Sequence, residues 1–353
     1  FLENYQAAPS NGKNLPLVSV IVPTYNRPKE LAIALQSIAN QTYPSVEAIV
    51  INDGGKDVAS VLHQFGKRLS IQYKRQDKNR GAGAARNAGS TLAKGKYIAF
   101  LDDDDVYRPE HLFALVAELE TNRSIIAAYS DALQVVLEEA GEKIKVVSKE
   151  VFYSMDFSPE LLLVRNYIPN LCLMFRRDAL DLTGLFDEQM PALEDWEWLI
   201  RLSKVGPFCH IPVVTSEYGV RQREKSRNIL AVSDIASLYR KIYETHPAYS
   251  SKQVQEARKM YYRTMTGQAL DMLEPQEPKP IIPSDGRAIE TLQLLLDSDD
   301  LAEALTHYED RLDSELLALV QENIKTARTD GNLELAEGLS ALADYIDELL
   351  KQS

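Results

Sequence analysis

The strongest constraint in this sequence is a regular alternation of strand and helix patterns that begins at residue 17. LVSVIVP is a short continuous apolar run, as expected of a strand covered on both faces. Pro28 opens the stretch LAIALQSIAN, whose apolar residues recur at helical spacing. VEAIVI reads as a second buried strand and ends at the turn-forming NDGG. DVASVLHQF predicts a short helix, SIQYKR a strand and AGAARNAGSTLA a helix of small residues. KYIAFL is the fourth strand, and it runs directly into four successive aspartates, residues 102–105. Such alternation predicts an α/β fold with a doubly wound, mostly parallel sheet.

Downstream the pattern loosens. A helix is expected after Pro109, then a strand at IIAAYSD, then a hairpin formed by QVVLEE and KIKVVSKE. FSPELLLVRNYI reads as a loop with a short helix, LCLMF as a strand, and EDWEWLIRLSKV as a helix with an acidic first turn. IPVVTSEYGVR closes this domain, and nearly everything from Asn228 onward reads helical. EPQEPKPIIPS carries four prolines and reads as a linker. The last stretch predicts two or three amphipathic helices with a turn at Asp330-Gly331-Asn332. The expected organisation is a lead-in (1–16), a large α/β domain (17–227), a helical extension (228–273), a Pro-rich linker (274–286) and a helical C-terminal region (287–353). The opening FLENYQAAPSNGKN lacks an initiator Met and is expected to be a polar lead-in of a trimmed chain. At 353 residues the chain exceeds the size at which single cores stop growing, which fits a large domain with a smaller one.

Charge separates the two parts. Residues 1–270 carry 33 Lys and Arg against 32 Asp and Glu, whereas residues 271–353 carry 6 against 20. An acidic segment repels nucleic acid and anionic lipid, so neither is expected as its partner. Residues 67–96 hold nine Lys or Arg and one Asp, a run that suits either a solvated face or phosphate binding. No apolar run approaches the ~20 residues of a bilayer span, and the N-terminus has no apolar h-region. A cytoplasmic location is expected, with peripheral membrane association left open. Cys172 and Cys209 suit a reduced compartment and form no metal-binding motif.

In open α/β sheets ligands bind at the carboxyl ends of the strands. Three polar clusters fall there: Pro23-Thr24-Tyr25-Asn26-Arg27, Asn52-Asp53-Gly54, and the aspartates at 102–105. Like charges this close cost energy unless a cation neutralises them. Asp oxygens suit hard divalent ions, and Mg²⁺ is typically held by one or two carboxylates plus substrate phosphates. An exposed acidic loop, or a helix N-cap before Pro109, is the plainer alternative.

Taken in order, SVIVPTYNR, NDGGKD, NRGAGAARNAG, FLDDDD and GLFDE…EDWEWLIRL resemble glycosyltransferase family 2, inverting enzymes of the GT-A fold. The resemblance covers roughly residues 17–225. It implies a nucleotide-sugar donor, Mn²⁺ or Mg²⁺ at an Asp-x-Asp site, and a late catalytic carboxylate. By position, Pro23, Tyr25, Asn26 and Asp53 fall to the nucleotide, the Asp suiting a uracil N3–H. Arg86 falls near the nucleotide and diphosphate. Asp102 and Asp104 take the Asp-x-Asp positions, with Asp104 the direct metal ligand and Asp103 lining the sugar. Asp195 matches the general base, flanked on the acceptor side by Glu194 and Trp196. The acceptor would be a glycan, a lipid-linked molecule or a protein. The C-terminal helices would serve self-association, partner docking or packing.

Two positions depart from the family pattern. Asn52 replaces the first acidic residue of the usual pair, which implies a changed supporting contact. Arg221 stands where many relatives place a metal-binding His, and with Arg223 and Lys225 it would hold phosphate instead. Three other readings compete: a sugar nucleotidylyltransferase, a non-catalytic sugar- or nucleotide-binding relative, and a dinucleotide-binding dehydrogenase. The first needs a Gly-rich loop after the first strand, where PTYNRPKE has no glycine. The last needs G-x-G-x-x-G there, also absent.

Overall fold

A computed structural model describes residues 15–140, 143–151, 153–221, 235–248, 251–270, 287–296, 311–329 and 333–352, with residues 298, 305, 307 and 308. The first half of the sheet follows the apolar runs closely. Strands β1 (Val18–Thr24), β2 (Val46–Asn52), β3 (Ser70–Arg75) and β4 (Tyr97–Phe100) lie in the order β3-β2-β1-β4, all parallel. Every residue of β1 except Pro23 is buried, as is all of β4, because helices cover both faces. The register sets Thr24 opposite Asn52, so the loops after β1 and β2 leave the sheet together.

The connecting helices α1 (Pro28–Ala39), α2 (Ala59–Phe65) and α3 (Ala82–Leu92) fall where the spacing placed them. The small residues of α3 have a structural reason. A Cβ on Gly89 would lie 2.4 Å from Ile21 Cγ2, so only glycine lets this helix rest on β1.

Beyond β4 the sheet is mixed. β5 (Asp105–Tyr107) pairs antiparallel with β9 (Phe208–Arg221), and β9 runs parallel to β6 (Ala127–Ala140). β8 (Leu173–Arg176) sits antiparallel between β4 and β6, and β7 (Lys143–Val151) forms the expected hairpin with β6. The segments IIAAYSD and QVVLEE join into the single strand β6, whose register shifts around Asp131 absorb the polar interruption. The three residues of β5 are too few to show a period, and the sequence pattern missed them.

Helices α4 (His111–Thr121), α5 (Pro159–Leu162), α6 (Leu180–Thr183) and α7 (Glu194–Ser203) complete this part. Two helices of the extension, α8 (Ile235–Thr245) and α9 (Lys252–Thr266), pack onto it. Arg258 is fully buried and donates to the carbonyls of Leu163 and His246, each at 2.7 Å. Tyr243 Oη donates to Val164 O at 2.8 Å.

The chain divides into two compact units after Leu270. In the second, α10 (Arg287–Leu296), α11 (Ser314–Thr329) and α12 (Leu333–Gln352) bury Leu292, Leu295, Leu316, Val320, Leu342 and Ile346 in one apolar core. The Pro-rich linker, the Asp330-Gly331-Asn332 turn and residues 222–234, which include Arg223 and Lys225, lie outside the described residues. No described helix is long and apolar enough to cross a membrane. Cys172 and Cys209 are unpaired.

Candidate active site

The carboxyl ends of β1, β2 and β4 open onto a cleft of about 300 Å³. Pro23, Tyr25, Arg27, Asp53, Gly81 and the aspartates at 102–104 line it. Asp53 is buried, and its two carboxylate oxygens accept from the backbone N–H groups of Arg80 and Gly81, each at 2.8 Å. Gly81 adopts φ +90°, a left-handed value that favours glycine and turns its N–H onto the carboxylate. Each Asp53 oxygen keeps a second lone pair for a ligand N–H.

Asn52 explains its own departure from the acidic pattern. Its Oδ1 accepts from Gly55 N and its Nδ2 donates to Lys56 O, both at 2.7 Å. A carboxylate could accept there but not donate, so the amide alone closes this turn from both ends. Asn26, itself left-handed at φ 61°, accepts from Lys56 N at 2.9 Å and ties the first loop to the second.

The four aspartates have four different surroundings. Asp102 faces Arg86, whose Nη2 donates to both its oxygens at 2.8 and 3.0 Å. Asp103 accepts from Thr24 Oγ1 at 2.7 Å and from Arg27 Nη1 at 3.1 Å. Burial pushes its pKa up to about 6 against the pull of both donors. Asp104 accepts from the same Arg27 nitrogen at 2.6 Å. Asp105 lies on β5, and burial, then the Asp102 and Asp104 charges, hold its pKa well above the usual carboxylate range.

Arg86 connects this edge to α7. Its guanidinium is buried, and while Nη2 holds Asp102, Nη1 donates to Glu194 Oε1 at 2.8 Å. The next residue, Asn87, exchanges two 2.9 Å hydrogen bonds with the backbone of Phe186. The Arg-Asn pair of α3 therefore fixes both the loop before α7 and the first residue of α7. Leu193, immediately before it, adopts φ 62°, a conformation a bulky residue holds only when its surroundings impose it.

Asp195 follows in the first turn of α7, where the helix dipole favours a carboxylate. Its Oδ1 accepts from Trp196 N at 2.8 Å and its Oδ2 from Asn166 Nδ2 at 3.3 Å. Burial raises its pKa, with Arg86 opposing and Asp102 adding to the rise. Glu194 is raised as well, first by burial and then by the Asp195 charge beside it.

Several expected contacts take other partners. Arg86 does not line the cleft; its Nη1 and Nη2 bond carboxylates, so it positions acidic groups instead of reaching a nucleotide. Glu194 is mostly buried, and its Oε1 accepts from Arg86 Nη1. Trp196 is 1% exposed, donates from Nε1 to Leu162 O at 2.7 Å and packs edge-on against Tyr239 and Tyr243, so it is core and not a platform. Neither Asn26, whose side chain holds Lys56 N, nor Asp195 is among the residues lining the cleft. Pro23, Tyr25, Asp53, Asp102, Asp103 and Asp104 do meet at the cleft. Arg221 ends β9 opposite Leu137, and its side chain lies outside the described residues. Arg27 and Asn166 carried no role in the sequence reading. Arg27 stood in a polar cluster without a partner, and Asn166 sits in a loop with no period to read.

The residues present allow a hard cation without forming a cage for one. Among the described residues no three His, Cys, Asp or Glu side chains are grouped to hold a metal. Two carboxylates, Asp102 and Asp104, do sit on the cleft wall, each neutralised by an arginine. That set suits an ion completed by phosphate oxygens.

Comparison with known proteins agrees with this architecture. The family model described as "Glycosyl transferase family 2" matches residues 19–182. A Bacillus subtilis protein named "Uncharacterized glycosyltransferase YwdF" is 35% identical over 188 residues, covering 53% of this chain and 68% of that protein. Chondroitin synthase of Escherichia coli is 28% identical over 201 residues, covering 56% of this chain but only 28% of the synthase. Among solved structures, S. aureus TarS 1–349 superposes with a TM-score of 0.52 at 14% identity, covering 92% of this chain and 90% of the other. The same fragment in complex with UDP-GlcNAc gives 0.54 at 15% identity with the same coverage. At such identity the likeness is one of fold.

Proposed function

The chain belongs to glycosyltransferase family 2, and we propose that it is an inverting enzyme transferring a sugar from a UDP-sugar to an acceptor hydroxyl. That it is a glycosyltransferase follows from the family; donor, stereochemistry and acceptor are our reading. The observation that carries it is the chain of contacts Asp102–Arg86–Glu194, which couples the acidic cleft wall to the helix bearing Asp195.

Asp53 would accept from uracil N3–H with the lone pairs its backbone partners leave, and Tyr25 and Pro23 would flank the base. The N-terminal end of α3 lines the cleft through Gly81 and Ala82 and has no side-chain cap. Its N–H groups and dipole favour the anionic diphosphate. Asp104 and Asp102 would hold Mn²⁺ or Mg²⁺, which when bound offsets charge on the departing diphosphate.

Asp195 would take the acceptor hydroxyl's proton as its oxygen attacks the anomeric carbon opposite the diphosphate. Burial supports that role by raising its proton affinity, and Asn166 and the Trp196 N–H fix its orientation. The acceptor would be a glycan, a lipid-linked molecule or a protein in polysaccharide or glycoconjugate synthesis. The name of the Escherichia coli relative favours the first, and peripheral membrane association suits the second.

Titration calorimetry with UDP, with and without Mn²⁺, followed by donor hydrolysis across a panel of nucleotide sugars, tests the reading. We expect UDP to bind more tightly with Mn²⁺ and one UDP-sugar to be hydrolysed fastest. Tighter binding of GDP or dTDP would remove the uridine assignment, and equal UDP affinity in EDTA would remove the cation.

A further inference from the structure

We propose that Arg27 is a tethered counter-ion of Asp103 and Asp104 which a divalent cation displaces, and that the freed guanidinium then contacts the diphosphate of the sugar donor. The inference rests on the reading that a cation and a nucleoside diphosphate meet at Asp104.

The geometry comes from the first loop. Asn26 is left-handed and tied to Lys56 N, which fixes the backbone just before Arg27. Pro28 then starts α1, so Arg27 is held between two constrained residues. From there a single nitrogen, Nη1, bridges Asp103 Oδ1 at 3.1 Å and Asp104 Oδ2 at 2.6 Å. The guanidinium thus bonds to Asp104, the carboxylate assigned to the cation, and lies on the wall of the same cleft.

Charge forbids both occupants at once. A guanidinium and a divalent ion sharing one carboxylate repel each other across a few ångströms, too close for a layer of water to lie between them. Energetics decide which yields. The Arg27 side chain is 50% exposed and that of Asp104 45%, so their pair is solvent-screened and weak, while the buried Asp103 keeps the Thr24 hydroxyl as a donor when Arg27 leaves. A cation held by a carboxylate together with phosphate oxygens outcompetes it. A displaced Arg27 remains on the cleft rim, where its planar fork suits phosphate oxygens.

Linkage follows from the exchange. Without nucleotide, a cation entering the site must evict Arg27 into water. With nucleotide present, the diphosphate offers the guanidinium a new partner. Each ligand therefore tightens the other, by the same factor in both directions.

The test uses the full chain and Mn²⁺ as the probe, with free Mn²⁺ measured by electron paramagnetic resonance, with and without UDP. Arg27→Gln should bind Mn²⁺ roughly 5-fold more tightly than the parent in the absence of UDP, the factor expected for one screened ion pair. In saturating Mn²⁺ it should bind UDP roughly 10-fold more weakly, from the lost charged hydrogen bond. Arg27→Lys keeps the charge and should stay near the parent for Mn²⁺. Unfolding curves confirm that the variants are folded. Equal or weaker Mn²⁺ binding by nucleotide-free Arg27→Gln overturns the counter-ion role, and unchanged UDP affinity overturns the diphosphate contact. Failure of the parent to bind Mn²⁺ even with UDP would instead remove the cation from Asp104, and with it the reading on which this inference rests.

Discussion

Arg27 and Arg86 pair with neighbours in the same run of aspartates, yet the side chain of Arg27 is 50% exposed and that of Arg86 only 6%. Burial changes what each pair can do. A screened pair at the cleft can exchange partners at little cost, so it suits a site that ligands enter and leave. A buried pair is costly to break, because a buried carboxylate such as Glu194 is left without its cation. The proposed transfer would use both, a donor side that yields and a helix bearing Asp195 that stays in place.

The largest expected effect sharpens that contrast directly. Arg86→Met should lower unfolding stability by about 3 kcal/mol, chiefly because the buried Glu194 loses its cation while Asp102, 40% exposed, is partly rehydrated. Arg27→Met should cost less, about 1–2 kcal/mol, because the buried Asp103 loses one donor but keeps the Thr24 hydroxyl. Denaturant unfolding of the two variants beside the parent measures this. Equal losses would mean that exposure does not separate the two arginines.

A second effect concerns how α7 is anchored from behind. Glu197 lies two residues beyond Asp195 and is bonded to Arg201 and to His246 beyond the end of α8. Burial would raise its pKa, but the His246 and Arg201 hydrogen bonds outweigh it and pull it down to about 2. That value lies below the unfolded ~4.3, so its stabilisation is complete above about pH 4.5 and is lost as pH falls toward 2. Glu197→Gln should lower stability by about 1–3 kcal/mol at pH 7 and decline less steeply than the parent below about pH 4.5. Parallel pH profiles for the two proteins would place the acid sensitivity elsewhere.

The smallest effect is an expected absence of change. A chain ending at Leu270 should fold and bind UDP within about 2-fold of full length, because the cleft and the α7 anchors all lie in the first unit. Circular dichroism and titration calorimetry of the shortened chain decide it. Loss of UDP binding would make the acidic helices part of the donor site.

The contrast between the two arginines also marks where the sequence was legible. β1 to β4 and their helices could be read because buried parallel strands are continuous apolar runs, and the aspartates stood out at the end of one. Asp53 and Asp195 were placed by motif, and each proved to be held by backbone or amide donors. What could not be read depends on direction. Arg86 in a motif reads equally as facing a nucleotide or facing inward, and only packing against Asp102 and Glu194 decides. Trp196 beside a base looks like a platform until the tyrosines of α8 cover it. Arg27 and Asp104 lie 77 residues apart in sequence, and no local pattern links them.

Asp195→Asn tests the central claim most directly, by comparing UDP affinity and sugar transfer in the same preparation with the best donor of the panel. We predict UDP affinity within about 2-fold of the parent and transfer lowered by roughly 10²–10⁴, the range for loss of a general base. Turnover near that of the parent would contradict the assignment of Asp195 as the base.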